Sequence, residues 1–168
     1  MSLVCVSEEV HPARACFEQM QEYQHPVLLN KMQSELSISR VESEVLFDDV
    51  RKFLALCATT KHPLAPARSL DQGWHLFILF TKDYAQFCKA YCGRYIHHEP
   101  EDPFAEKKDY EAVPQTRLLA KAVFGEVSSN WTSCLGDCKD CCPESCQGKD
   151  CSQNDCTSCK TKIIGPVQ

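Results

Sequence analysis

The sequence predicts an all-α protein: a small helical domain over residues 1–131, then an irregular cysteine-rich tail over 132–168. Three observations predict it. Apolar residues recur at helical spacing through most of the first 124 positions. Prolines and glycines fall where helices begin and end. The thirteen cysteines divide unevenly, with Cys5, Cys16, Cys57, Cys88 and Cys92 scattered and the other eight between Cys134 and Cys159. No run carries the period-two alternation of a strand.

The elements follow in order. Pro12 suits a first helical turn, and Ala13 to Tyr23 places Cys16, Phe17 and Met20 on one side. Pro26 opens a second segment, with Leu28, Leu29, Met32 and Leu36 at helical spacing. Ser39 and Glu42 form an S-x-x-E capping box, in which each side chain satisfies an orphan N–H at a helix start. The helix it opens is expected to run to about Cys57, burying Val45, Leu46, Val50, Phe53, Leu54 and Cys57. Residues 59–70, with Pro63 and Pro66, read as a loop. Asp71 to Cys92 is helical, with a break near Thr81, which is expected to cap a second piece; Gly93 ends it. Residues 97–104 are a turn-rich connector. A last helix is expected over about Ala105 to Phe124, in two pieces because Pro114 falls inside it.

Composition excludes several function classes. Hydrophobic residues at 43% and charged residues at 24% give a globular balance. A net charge of -5 without a Lys/Arg-rich block leaves no basic footprint for nucleic acid. The densest apolar run, Trp74 to Phe80, is far too short to span a bilayer, and the N-terminus lacks the basic and apolar regions of a secretory signal. A cytoplasmic setting with reduced thiols is therefore expected. P-loop, GxGxxG and G-x-S-x-G motifs are absent, so no catalytic residue is assigned. Asp48-Asp49 and Glu8-Glu9 read as solvated charges.

The tail reads C-x3-C-x2-C-C-x3-C-x4-C-x4-C-x2-C from Cys134. Cys138 with Cys141, and Cys156 with Cys159, are two C-x2-C knuckles separated by fourteen residues. Two residues between thiolates let both sulfurs reach one ion, and two knuckles complete a tetrahedral set with Zn–S distances of about 2.3 Å. Cys134, Cys142, Cys146 and Cys151 remain for a second ion or a shared cluster. Zinc is the expected metal; copper(I) and iron–sulfur centres are the alternatives, since all three suit thiolates. A disulfide-stapled tail is a further alternative.

A second constellation is Asp71-x2-Trp74-His75, Thr81-x2-Tyr84-x2-Phe87-Cys88 and Gly93-x3-His97-His98-x-Pro100. Asp71 and His75 are four apart, hence on one helical face. If the chain doubles back at Gly93, His97 or His98 approaches that face, and Asp71, His75, Cys88, His97 and His98 become candidate ligands of a first-row metal. The bland alternative has His75 bonded to a helix carbonyl and the His97-His98 pair capping the preceding helix.

These residues, with Tyr110, Thr116, Phe124-Gly125 and Trp131, resemble the glycine-rich domain-containing protein-like family over about residues 45–131, with the chain similar in size to its bacterial members. The resemblance implies a shared helical domain and no settled reaction, substrate or cofactor. This chain departs from the plant members in carrying cysteines where they carry a glycine-rich region.

The expected function is a non-catalytic metal-binding protein, with zinc the expected metal, whose helical domain recognises an unknown protein partner and whose tail holds metal through thiolates. The alternatives are a metalloenzyme with its site at the Asp/His cluster and a structural zinc tail, or a thiol-based redox-sensing interaction protein.

Overall fold

The structure, a computed structural model, describes residues 11–99 and 112–132. Among these residues the chain forms six α-helices, one π-helical turn and one 3-10 turn, with no strand. α1 (Pro12–Met20) and α2 (Pro26–Leu36) each begin with proline, whose missing N–H falls where no helical bond is made. Each is capped by the histidine just before it. The Ala13 N–H donates to His11 Nδ1 at 3.2 Å and the Leu28 N–H to His25 Nδ1 at 3.0 Å, so an imidazole lone pair replaces the usual cap oxygen. α2 stops at Ser37, which turns into the left-handed region with φ 54°.

α3 (Arg40–Thr59) opens on the expected capping box. The Glu42 N–H donates to Ser39 Oγ at 3.2 Å, and the Ser39 N–H donates to Glu42 Oε2 at 2.7 Å. These bonds to Ser39 hold the Glu42 carboxyl below its ordinary range. α3 is the central post of the fold, with α1, α2 and α4 (Arg68–Ile78) packed on it. Leu46, Phe47, Val50, Phe53 and Leu54 are buried, whereas Val45, expected in the stripe, is 43% exposed. Phe47, 3% exposed, is buried on this face instead. α4 approaches α3 closely because Gly73 carries no side chain there; a Cβ would lie 3.0 Å from Leu46 Cγ and 3.1 Å from Val50 Cγ2.

The expected break near Thr81 lies between α4 and α5 (Thr81–Phe87). The Phe80 N–H bonds to the Phe77 carbonyl at 3.0 Å, tightening the last turn of α4. Thr81 does not cap α5: the cap position is Phe80, and no side chain bonds there. A π-helical turn (Cys88–Cys92) follows, closed by Gly93 at φ 70°. α6 is Ala112–Phe124. The start expected at Ala105 lies outside the described residues, and Pro114 sits in the first turn of α6, where its missing N–H interrupts nothing.

Asp49 corrects the expectation of a solvated carboxylate. It is 1% exposed and binds the 3-10 turn Ser129–Trp131 to the middle of α3. Ser128 Oγ donates to it at 2.5 Å, Asn130 Nδ2 at 3.0 Å and Trp131 Nε1 at 2.9 Å. Arg51, two residues further along α3, is buried too and donates to the Met20 and Tyr23 carbonyls at 3.2 Å, closing the end of α1. Among the described residues no helix is long and apolar enough to cross a membrane.

Candidate metal site

The cluster is built from two stretches of chain. Asp71 lies in the first turn of α4 and His75 one turn later, so their side chains share a face. His98 comes from the segment after the π turn, and three features deliver it. Gly93 reverses the chain in the left-handed region, at no steric cost to glycine. Ile96, 4% exposed, plugs the core. Tyr84 OH donates to the Ile96 carbonyl at 2.7 Å and accepts from Trp74 Nε1 at 2.9 Å, a buried chain that ties α4, α5 and this segment together.

His98 then lies against the Trp74 ring, with centroids 4.4 Å apart, and against His75 at 4.1 Å. His98 Nε2 is 2.7 Å from Asp71 Oδ1, and His75 Nδ1 is 3.3 Å from Asp71 Oδ2. One ligand atom from each of Asp71, His75 and His98 lies within 4.8 Å of the others. His75 Nδ1 is also 2.7 Å from the Asp71 carbonyl oxygen, which can only accept. That contact places the proton on Nδ1 and leaves the Nε2 lone pair free, the orientation device that metal-bound histidines use. The exposures differ: the His98 side chain is 10% exposed and that of His75 48%, so the cluster is backed by core on one side and open on the other.

A carboxylate oxygen with two imidazole nitrogens is a donor set for zinc and for other first-row divalent ions. Ligand atoms on a tetrahedral zinc at about 2.0–2.1 Å stand roughly 3.3 Å apart, so the 2.7 Å contact of His98 Nε2 with Asp71 Oδ1 needs to open by only tenths of an ångström, with His75 offering its Nε2. The donor set fits.

The remaining candidates do not join it. His97 is exposed and packs on Tyr95, with centroids 4.7 Å apart. Cys88 is fully buried within the core cluster. The physical reason is that helix α5 and the π turn direct Cys88 inward with the core aromatics. Cys134, Cys138, Cys141, Cys142, Cys146, Cys151, Cys156 and Cys159 lie outside the described residues. Sequence reasoning missed the Asp49 clasp and the caps from His11 and His25. Asp49 carried no signal, since its partners are some eighty residues away; each capping histidine preceded a proline, a pattern open to inspection.

The UCP032817-like family model matches residues 15–118. The chain belongs to this family. The UCP032817-like match runs from α1 into α6 and takes in Asp71, His75 and His98. It overturns the resemblance to the glycine-rich domain-containing protein-like family, whose motif residues from Asp71 to Thr116 fall within the matched stretch. Trp74, Tyr84, Phe87 and Cys88, which carried much of that resemblance, are core residues of the bundle, where buried aromatics at helical spacing are a general need. No curated protein and no solved structure matches this UCP032817-like chain.

Proposed function

We propose that this UCP032817-like protein is a non-catalytic metal-binding protein that takes a divalent first-row ion, zinc foremost, at Asp71, His75 and His98. The observation that supports the reading is the convergence of one carboxylate and two imidazoles from separate elements within 4.8 Å. The eight cysteines from Cys134 to Cys159 are a second, thiolate donor set in this proposal, supported by the spacing of their two C-x2-C knuckles. In the Asp71 site the chain's own residues bind and orient. Asp71 supplies charge, the His98 ring is held by Trp74, and His75 is aimed by its bond to the Asp71 carbonyl. A bound ion would take the place of the 2.7 Å contact between His98 Nε2 and Asp71 Oδ1.

One observation favours a metalloenzyme as the second reading. Three protein donors leave a fourth position of a tetrahedral ion for water or substrate, and the cluster is open on the His75 side.

Cobalt(II) loading of the full chain under reducing conditions, followed by elemental analysis, tests the reading. Wild type is expected to hold one more equivalent than Asp71→Ala or His98→Ala, and that equivalent contributes ligand-field bands without sulfur-to-metal charge transfer. Equal stoichiometry in wild type and both variants overturns the site. Metal-dependent hydrolysis lost on His75→Ala would move the assignment to the metalloenzyme.

A further inference from the structure

His25 is a buried titratable group outside the Asp71 cluster. It is 9% exposed, and its Nδ1 accepts the Leu28 N–H at 3.0 Å while its carbonyl accepts the Leu29 N–H at 3.2 Å, so the first turn of α2 hangs on this one residue. Only a bare nitrogen accepts an N–H, so the neutral ring carries its single proton on Nε2. Nε2 is buried and lies 3.3 Å from Asp83 Oδ2, off the line of a hydrogen bond. One imidazole thus joins the start of α2 to the first turn of α5.

The surroundings decide what a second proton does. Phe80 lies 4.7 Å from the ring, centroid to centroid, and Phe77 and Tyr23 each 6.1 Å, all three edge to face. Tyr23 and Asp83 are the titratable side chains recorded against it. Tyr23 is pushed up to about 12, first by burial and then by Asp83, so it stays a neutral phenol. The Asp83 carboxylate favours an imidazolium, but its side chain is 48% exposed and solvent weakens the pull. On the α3 side, the Arg51 guanidinium binds the Tyr23 carbonyl, two residues before His25, and adds fixed positive charge. The second proton has one place to go, Nδ1. There it ends the cap, sets N–H against N–H, and puts a cation at the positive end of the α2 dipole among aromatic rings.

We propose that His25 is a proton-operated latch: a proton taken from solvent at Nδ1 expels the ring from its cap and frees the first turn of α2 from α5. The Leu28 N–H passes to water as the cap bond breaks, and the imidazolium is solvated. The closed latch binds one proton fewer than the open one, so opening is favoured as pH falls. Asp83 pulls the other way and holds the latch shut further into acid. The latch does not rest on the metal reading, since His25 is not among the cluster's donors.

Amide hydrogen exchange of the full chain, reduced and freed of metal by a chelator, tests it from about pH 8 to about pH 5, the span in which histidines titrate. After correction for intrinsic exchange, protection of residues 26–32 in wild type is expected to fall with pH, by at most about tenfold per pH unit, the limit for one proton. Residues 46–54, in the middle of α3, are expected to keep theirs. His25→Asn, whose amide oxygen caps without titrating, is expected to flatten the fall, and Asp83→Asn to deepen it. Protection of 26–32 that stays flat in wild type, that falls only in step with 46–54, that falls equally in His25→Asn, or that falls less in Asp83→Asn overturns the latch. The comparison of two segments within wild type stands even if a variant fails to fold.

Discussion

Truncating Asp49 to alanine is expected to cost about 3–5 kcal/mol, and the structure supplies the terms. Three donors converge on this carboxylate: Ser128 Oγ, Asn130 Nδ2 and Trp131 Nε1. Ser128 and Asn130 are half-exposed, so water can replace the lost acceptor and each loss is worth about 1 kcal/mol. Trp131 is 1% exposed, and its indole N–H would be left dry, at about 1–3 kcal/mol. Relief of the buried charge keeps the sum from running higher. Asp49→Asn keeps the shape and one acceptor while turning an amide donor toward the remaining donors, and is expected to cost about 1–3 kcal/mol. Equilibrium urea unfolding of both variants, with equal slopes, measures this. A value for Asp49→Ala within about 0.5 kcal/mol of wild type, the range of an ordinary surface change, refutes the clasp as a source of stability.

Three further outcomes follow from the packing. Gly73→Ala drives a methyl to 3.0 Å from Leu46 Cγ and is expected to destabilise by about 1–3 kcal/mol, read by thermal unfolding. Arg51→Leu leaves the Tyr23 carbonyl without its Arg51 donor and the Met20 carbonyl with only the Tyr23 N–H, and is expected to lose about 1–3 kcal/mol, with Arg51→Lys a poor rescue because one ammonium lacks the guanidinium's fork. Ser39→Ala removes the capping box and is expected to cost about 1 kcal/mol at neutral pH. Because the folded Glu42 carboxyl lies below its ordinary 4.5, its contribution is present above that value and is lost as pH falls through the lowered one. The gap between wild type and Ser39→Ala should therefore narrow in acid; a gap that widens below pH 4.5 contradicts the pairing.

The parts of the fold legible in the sequence are those set by neighbours along the chain. The Ser39–Glu42 box, the proline starts and the Gly93 stop are all decided within four residues, and the structure carries each of them. Spacing alone cannot say which of several adjacent apolar residues of α3 faces the core, and Val45, placed inward by spacing, is exposed. Asp49 escaped for a different reason. A buried carboxylate is tolerable only beside its donors, and those donors are brought to it by the path of the whole chain. In the candidate site, Asp71 and His75 share a face by spacing, while the choice of His98 over His97 depends on which of two neighbours follows the inward-facing Ile96 by two residues.

The contact between His98 and Trp74 has an optical consequence. The chain has two tryptophans, and they stand at different stations. Trp74 lies 4.4 Å, centroid to centroid, from a ring of the histidine cluster, while Trp131 packs near Phe53 and hangs on Asp49. A paramagnetic ion or an added proton at the cluster would dim the first indole through contact, and loosening of the C-terminal turn would shift the emission of the second toward the red. The molecule thus carries two intrinsic lamps, one beside its candidate ligands and one at its clasp, and their colours separate an event at the site from an event in the fold.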